Sequence, residues 1–370
     1  MNDRKMKVGI VTFQHANNYG ALLQSYALQR SVKKLGCECE IIAYSSSYIE
    51  KPYRLSHLKN KGIMNYMIGV IGHICYLPRK RLCNKFRRYM SYSERVDEHN
   101  VGKLNEQYDL FIAGSDQVWN YKLAGGDMNF FLAFVSDDRK KNSYAASIGL
   151  DDIEPSMREV YRQNLATFAH ISVREIRAQE ILKQLGDIES QVVLDPTLLL
   201  DEEEWEAIAR EPMKKEEYIL AYQLGVSGRF TKYVRTLAKE KRMKVKYIPF
   251  PLGGVCASRW MLTIGPAEWV GLFKNASYVV TDSFHGAVFS ALFQRQFVIE
   301  VNEKNKAVGG RLYEFMRRFG LEDRMLNRRR NILIDEKIDY SKVKLLVKKA
   351  RKESLDYLRK MIDECKVEEV

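Results

Sequence analysis

The sequence lacks cysteine pairs of the kinds that bind zinc or carry redox chemistry. Its six cysteines include no C-x-x-C motif, and none of them stands beside the histidines that a zinc site needs. The H-E-x-x-H motif and other paired metal-ligand motifs are also absent. We therefore expect reduced, mostly structural thiols, no bound metal ion and no other cofactor.

Long apolar segments and cleavable signals are missing as well. No stretch of the chain reaches the roughly 20 apolar residues that a membrane-spanning helix requires. The apolar run over 8–13, behind a charged amino terminus, is too short for a signal peptide. We expect a cytoplasmic protein that is not integral to a membrane.

Two motifs of nucleotide-dependent enzymes are absent. The chain contains no G-x-x-x-x-G-K-[ST] and no G-x-G-x-x-G after a strand. Neither ATP hydrolysis nor dinucleotide binding therefore has its usual sequence signature. We therefore expect arginines, a histidine and the amino-terminal ends of helices to bind the ligand and to catalyse its reaction.

Basic residues are in excess and unevenly distributed. Lysine and arginine total 60 against 47 aspartate and glutamate residues, which gives a formal net charge of +13. The segment 51–95 holds eleven basic residues and one acidic residue, and its apolar run over 63–77 directly precedes a basic run over 78–81. This pattern suits an anionic membrane surface, with a solvated helical insertion packed on its own domain as the alternative. Nucleic-acid binding is not expected, because no recognition motif accompanies the charge.

The length and the alternation of predicted elements indicate two domains. A chain of 370 residues with 46% hydrophobic residues has material for two cores. Strands alternate with helices in both halves, which predicts parallel sheets and two α/β, Rossmann-like, doubly wound domains. We expect an amino-terminal domain over 1–196 with a basic helical insertion at about 51–100, and a carboxyl-terminal domain over 197–340. A charged helix over 341–370 is expected to pack back on the first domain.

Polar side chains and a histidine follow four predicted strands at their carboxyl ends, where open parallel sheets bind ligands. The strands concerned cover 8–13, 108–113, 171–173 and 278–281. The candidate residues after them are Asn18, Tyr19 and Gly20, then Ser115, Asp116 and Gln117, then Arg174, and finally His285.

The first two groups have structural alternatives. The loop that contains Asn18 either offers backbone amides to an anion or sugar or is an ordinary glycine-bearing turn. Ser115 or Asp116 either faces a ligand or caps the helix that follows. The residues alone leave both alternatives open.

Arg174 and His285 are the candidates for chemistry. An arginine at a strand end grips phosphate or carboxylate through two nitrogens, and its alternative is a salt bridge with Glu175 or Asp195. A lone histidine is more often part of a core, but His285 stands directly after a strand at the start of an apolar helix. Because imidazole gains and loses a proton near neutral pH, we expect acid-base chemistry on an anionic ligand.

Taken together, these blocks resemble the polysaccharide pyruvyl transferase family. The resemblance spans nearly the whole chain and rests on the order and spacing of the blocks. It implies a fold like that of the GT-B glycosyltransferases, with two Rossmann-like domains facing each other across a cleft. The blocks are Val8-Gly9-Ile10-Val11-Thr12 with Asn18-Tyr19-Gly20-Ala21, Gly114-Ser115-Asp116-Gln117-Val118-Trp119-Asn120, Ser172-Val173-Arg174-Glu175, Leu194-Asp195-Pro196-Thr197 and Thr281-Asp282-Ser283-Phe284-His285-Gly286.

The resemblance also implies a reaction. The family's characterised members transfer pyruvate from phosphoenolpyruvate to sugar hydroxyls and form a ketal on cell-surface polysaccharide or its lipid-linked precursor. Phosphoenolpyruvate is then the donor, and a glycan or lipid-linked glycan is the acceptor. By family position, Arg174 would bind the donor and His285 would act as acid-base catalyst. A lipid-linked acceptor would bring the segment 51–95 to the inner face of the cell membrane.

One position departs from the family pattern. The better-known branch has an arginine two residues before the histidine, where this chain has Ser283. We expect Ser283 to line the substrate site and Arg311, or alternatively Arg259, to supply the missing cation. Two other functions remain open, namely a nucleotide-sugar glycosyltransferase of GT-B-like fold and a non-catalytic protein that binds anionic surfaces.

Overall fold

The computed structural model of the chain describes residues 4–50, 77–211, 216–248, 264–301, 306–326 and 334–367. The chain divides into two compact units. The first comprises Met1–Asn60, Arg87–Leu199 and Lys349–Val370, and the second comprises Lys61–Phe86 and Leu200–Lys348. The predicted domain bounds stay predictions, and residues 77–86 of the basic insertion, which the sequence placed within a first domain over 1–196, belong to the second unit.

The described elements alternate between strand and helix along most of the chain. The strands are β1 (Lys7–Val11), β2 (Glu38–Ser45), β3 (Tyr92–Asp97), β4 (Leu110–Ala113), β5 (Lys141–Ser143), β6 (Ser172–Val173), β7 (Gln191–Val192), β8 (Tyr218–Tyr222), β9 (Lys244–Ile248), β10 (Tyr278–Thr281) and β11 (Gln296–Ile299). The longer helices are α1 (Tyr19–Lys34), α2 (77–87), α3 (Pro155–Leu165), α4 (Ile176–Gly186), α5 (Gly228–Lys241), α6 (Pro266–Asn275), α7 (Phe284–Leu292), α8 (Lys306–Arg318) and α9 (Tyr340–Val367). Short helices cover Ser47–Glu50, Tyr121–Ala124 and Glu202–Glu206.

The sheet of the first unit has the strand order β3-β2-β1-β4-β5, and its strands are parallel. Isolated bridges from Asn142 to His170 and from Ala146 to Val173 carry the pairing on towards β6, which pairs with β7. All four residues of β4 are buried, as expected for a central strand covered on both faces. The order reverses between β1 and β4, so the loops after these two strands flank the crevice where such sheets bind ligands.

The sheet of the second unit has the order β11-β10-β8-β9 and is also parallel. Its order reverses between β8 and β10, which are hydrogen-bonded neighbours over Tyr278 to Thr281. The loops after β8 and β10 therefore lie at the second switch point. Helix α7 begins three residues after the end of β10. Seven of its nine residues are buried, as its largely apolar sequence predicts.

The carboxyl-terminal part of α9 belongs to the core of the first unit. Tyr357, Leu358, Met361 and Ile362 pack in one cluster with apolar residues of β1, β4 and α1. The helix is also held by hydrogen bonds, since the Ser354 hydroxyl accepts from the Leu194 amide at 3.0 Å. The backbone of the segment that precedes Asp195 is thereby attached to α9.

The predicted fold class is confirmed, because both units are α/β, Rossmann-like and built on parallel sheets. Strand β3 was not predicted. Most of the basic insertion, 51–76, lies outside the described residues, as does Arg259. In the part of the chain that the structure describes, no helix is long and apolar enough to cross a membrane.

Candidate functional site

The loops after β1 and β4 are joined by buried hydrogen bonds. The Thr12 hydroxyl donates to the Ser115 carbonyl at 2.8 Å, and the Gln24 side chain on α1 donates to the Thr12 hydroxyl at 3.1 Å. Asn18 caps α1, because its side chain accepts from the Gly20 amide at 2.9 Å. Tyr19 and Gly20 are buried in the first turn of that helix. Both the loop and the first turn are thus fixed, and contact with a ligand by Asn18, Tyr19 or Gly20 stays a prediction.

The Ser115-Asp116-Gln117 segment does not cap a helix. The next short helix is capped by Asn120, whose side chain also donates to Gln117 Oε1 at 2.9 Å. Asp116 adopts a φ of +88°, a conformation that costs free energy for a residue with a side chain. Asp116 and Gln117 are half-buried at the switch point, whereas Ser115 is fully buried. Binding by all three residues stays a prediction.

Arg174 lies at the end of β6 in a buried ion-pair network. Its Nη1 donates to Asp195 Oδ2 at 2.7 Å, and the two side chains are 2% and 0% exposed. The same nitrogen lies 3.4 Å from the Ser115 hydroxyl, and Arg174 Nε lies 3.7 Å from Glu175 Oε2. The other oxygen of Asp195 accepts from the amide and hydroxyl of Thr197 at 3.0 and 2.6 Å. The network therefore links three segments of the first unit.

The electrostatics of Arg174 follow from this arrangement. Burial alone lowers the pKa of Arg174, but the carboxylates of Asp195, Glu175 and Asp116 outweigh burial and raise that pKa above its ordinary value. The salt bridge of Arg174 with Asp195, which the sequence analysis gave as the alternative to ligand binding, is present. A donor-binding role for Arg174 stays a prediction.

The turn between β10 and α7 is fixed by its own polar atoms. Ser283 caps α7, because its hydroxyl accepts from the Gly286 amide at 3.3 Å, and its own amide donates to the Thr281 hydroxyl at 3.1 Å. Ser283 is 3% exposed. A Cβ atom on Gly286 would lie 2.4 Å from Thr281 Oγ1, so only glycine fits there without displacement. A substrate-binding role for Ser283 stays a prediction beside this capping role.

His285 lies in the first turn of α7 and is half-buried. Its ring packs edge-on against Phe284 at 5.3 Å, and Phe284 packs against Phe315 of α8 at 5.8 Å. Arg311 stands one turn before Phe315, so the two residues share the face of α8 that contacts α7. The structure thus brings the helix that carries Arg311 to the helix that carries His285.

A carboxylate that the sequence did not single out holds the neighbouring loop. Asp282 accepts from the backbone amides of Leu224 and Gly225 at 2.6 and 2.7 Å. Burial raises the pKa of Asp282 to about 6, although the two amides act in the opposite direction by favouring the carboxylate. Glu300, after β11, accepts from the Ser227 hydroxyl at 2.8 Å. The position of Asp282 directly after a buried strand was the signal available in the sequence.

The loop held by Asp282 borders an open depression of about 420 Å³ at the start of α5. Its lining includes Ser227, Thr231, Lys232 and Arg235. Among the described residues, no group of three or more histidine, cysteine, aspartate or glutamate side chains is placed to hold a metal ion.

The chain matches a model of the polysaccharide pyruvyl transferase family over residues 18–303. This region covers most of the sequence and includes Arg174, Asp195, Asp282 and His285. The protein is therefore a transferase of the α/β class, and it belongs to the polysaccharide pyruvyl transferase family. Among curated protein sequences, none matches this chain.

Several solved structures are similar at low sequence identity. A protein assigned as a UDP-N-acetylglucosamine 2-epimerase from Listeria monocytogenes is 12% identical, with a TM-score of 0.45 and coverage of 96% of this chain and 91% of the other. The ADP-heptose lipopolysaccharide heptosyltransferase II of Escherichia coli is 11% identical, with a TM-score of 0.36 and coverage of 93% and 99%. The glycosyltransferase SnogD of Streptomyces nogalater is 11% identical, with a TM-score of 0.40 and coverage of 98% and 100%.

Proposed function

We propose that this protein transfers pyruvate from phosphoenolpyruvate to two hydroxyls of a sugar, forming a ketal on a cell-surface polysaccharide or its lipid-linked precursor. Membership of the family supports the reaction class. The observation that carries the proposal is the place of His285, in the first turn of α7 directly after β10 and at the switch point of its sheet. The reaction takes place in the cytoplasm, where phosphoenolpyruvate is available.

Ketal formation needs one proton donor and produces one phosphate. The methylene carbon of the enol gains a proton and becomes a methyl group. The neighbouring carbon is then attacked by a sugar hydroxyl, and phosphate leaves with the electrons of its carbon–oxygen bond. A second hydroxyl of the same sugar closes the ring, and the two hydroxyl protons pass to solvent or to the enzyme. His285 is the proposed donor of the first proton, because imidazole exchanges protons near neutral pH.

The donor carries a phosphate and a carboxylate, so the reaction needs cations at the site. Ser283 supplies a hydroxyl where the better-known branch has an arginine, and that hydroxyl caps α7. Arg311 is the proposed replacement, since α8 contacts the start of α7 through Phe315 and Phe284. Arg174 remains a proposed donor contact on the ground of its family position alone.

The test is a donor comparison with the purified full-length protein. Incubation with phosphoenolpyruvate and a panel of candidate glycans should release phosphate and yield an acid-labile ketal in equal amounts. In parallel, phosphoenolpyruvate should raise the melting temperature, whereas UDP-sugars should not. Stabilisation by a UDP-sugar together with sugar transfer, and no response to phosphoenolpyruvate, would show a glycosyltransferase instead.

A further inference from the structure

Helix α2 (77–87) has two different faces. One face is apolar and covered, since Cys83 is 0% exposed and Phe86 is 2% exposed. Arg87, at the end of the helix, also turns inward and donates through Nη2 to the carbonyl oxygens of Gln14, His15 and Ala16 at 3.1 to 3.2 Å. The described part of the basic insertion is therefore anchored on this side by apolar and polar contacts.

The other face of α2 is cationic and exposed. Lys80, Arg81, Lys85 and, just beyond the helix, Arg88 are all exposed and recur at the spacing of one helical face. We refer to these four residues as the basic face. Tyr89, which follows it, is 51% exposed.

Within the described residues, the charges of the basic face are not neutralised. None of its four side chains forms an ion pair within the part of the chain that the structure describes. The sequence over 77–93 contains six lysine and arginine residues and no aspartate or glutamate. Like charges one helical turn apart, such as Arg81 and Lys85, weaken a helix in isolation. A dense anionic surface would remove this repulsion.

We infer that the basic face docks on the surface of an anionic lipid bilayer. Lysine and arginine bind such surfaces through the negative potential of the head groups, and tyrosine favours the interface between water and lipid. The sequence supports a bilayer over a nucleic acid, because the 17 residues from 62 to 78 include no lysine, arginine, aspartate or glutamate and stand directly before the basic face. A cationic stretch next to an uncharged, apolar-rich one is typical of interfacial segments, whereas no nucleic-acid recognition motif is present.

A second group of exposed lysines provides a comparison within the same chain. Lys342, Lys344 and Lys348 of α9 are exposed, and none forms an ion pair within the described residues. This group differs from the basic face because carboxylates lie on either side of it, with Asp335, Glu336 and Asp339 before it and Glu353 after it. Replacing these three lysines with glutamine lowers the net charge by three, as does replacing three cations of the basic face. The lysines of α9 therefore control for a general effect of net charge.

The test measures vesicle binding with the full-length protein and needs no enzymatic activity. Co-sedimentation uses phosphatidylcholine vesicles with and without phosphatidylglycerol, at low and at physiological salt. We expect binding only to the phosphatidylglycerol vesicles, weakened by salt because exposed charges are screened. Each cation near an anionic surface contributes about fivefold to affinity, so Lys80→Gln/Arg81→Gln/Lys85→Gln should bind about 100-fold more weakly. Lys342→Gln/Lys344→Gln/Lys348→Gln should bind within about fivefold of the unaltered protein.

Three results would overturn the inference: equal vesicle binding by the first triple variant and the unaltered protein, an equal loss in the control variant, or binding to duplex DNA without binding to the vesicles. Melting temperatures of both variants, measured alongside, should match the unaltered protein because the substituted side chains are exposed. The inference goes beyond pyruvyl transfer, and a protein that binds vesicles but forms no ketal would refute only the proposed reaction.

Discussion

Arg174 and Asp195 form an ion pair with 2.7 Å between Nη1 and Oδ2, and both side chains are almost fully buried. A buried pair of this kind is costly to break from one side, because the remaining charge loses its partner in a medium that solvates it poorly. The pair also fixes Ser115, whose hydroxyl lies 3.4 Å from both partners. The conformation of the loop after β4 therefore depends on Arg174 as well as on the loop's own sequence.

Replacing the arginine alone should destabilise the protein strongly. We expect Arg174→Met to lower the free energy of unfolding by about 3–5 kcal/mol, measured by urea denaturation. Adding Asp195→Asn should restore part of the loss, because it removes the unpaired charge and keeps an acceptor for Thr197. Arg177→Met, which breaks an exposed pair with Glu180, is the matched control and should cost at most about 1 kcal/mol. If Arg174→Met were as stable as the original protein, Arg174 would not stabilise the fold, and a role in binding the donor would be favoured instead.

Protonation of Asp282 should be visible at the loop that it holds. The amide resonances of Leu224 and Gly225 should shift with a midpoint near pH 6, because both amides donate to this carboxylate and burial raises the pKa of Asp282 to about 6. In Asp282→Asn the same resonances should not titrate in that range. A midpoint near pH 4 in the unaltered protein would contradict the burial of this group.

The same pKa gives a signed dependence of stability on pH. The pKa of Asp282 is about 6 in the folded protein and ordinarily 3.8, so between these values the folded state holds more protons than the unfolded state. Its contribution to stability is therefore fully present below about pH 4 and declines as the pH rises to about 6. Relative to Asp282→Asn, the unaltered protein should lose stability over that interval. An unchanged difference between the two proteins would show that Asp282 is not responsible.

Gly286 should be intolerant of a methyl group. Gly286→Ala places a Cβ atom 2.4 Å from Thr281 Oγ1, and overpacking of this kind costs about 1–3 kcal/mol. Thr281→Ala in the same protein should recover part of that loss by removing the atom that clashes. Thermal unfolding of the single and double variants measures both effects, and no recovery in the double variant would place the clash elsewhere.

Arg311 should contribute to donor binding if it replaces the missing arginine. A hydrogen bond to a charged group contributes about 1.5–3 kcal/mol, so Arg311→Ala should weaken phosphoenolpyruvate binding by about 10–100-fold in calorimetry. Arg317→Ala, an exposed arginine on the same helix, is the control and should leave the affinity unchanged. Equal affinities for the Arg311 variant and the unaltered protein would remove Arg311 from the site.

The central strands could be predicted from the sequence because they are continuous apolar runs between turn residues. Strand β10 has the predicted bounds, Tyr278–Thr281. Strand β3 escaped prediction since, among the described strands, it pairs with β2 alone, and Glu94 and Arg95 within it are exposed. Local pattern is a poor guide to such edge strands.

Partners within the site were harder to predict than the elements that carry it. The contact of Asp282 with the Leu224 amide depends on β8 and β10 being neighbours in the sheet. No local sequence pattern specifies the order of strands. The sequence offered Asp195 only as one of two salt-bridge partners for Arg174. Which partner is closer depends on how the segments after β6 and β7 approach each other.

The most direct test of the account is the rate of phosphate release from phosphoenolpyruvate, with a glycan acceptor present, for the unaltered protein and for His285→Gln. A positioned proton donor contributes about 10²–10⁴-fold to a rate. We predict ketal formation and phosphate release in equal amounts by the unaltered protein, and a rate at least about 100-fold lower for His285→Gln at an unchanged melting temperature. Equal rates for the two proteins would contradict the assignment of His285, and the absence of any ketal across a broad acceptor panel would contradict the proposed reaction.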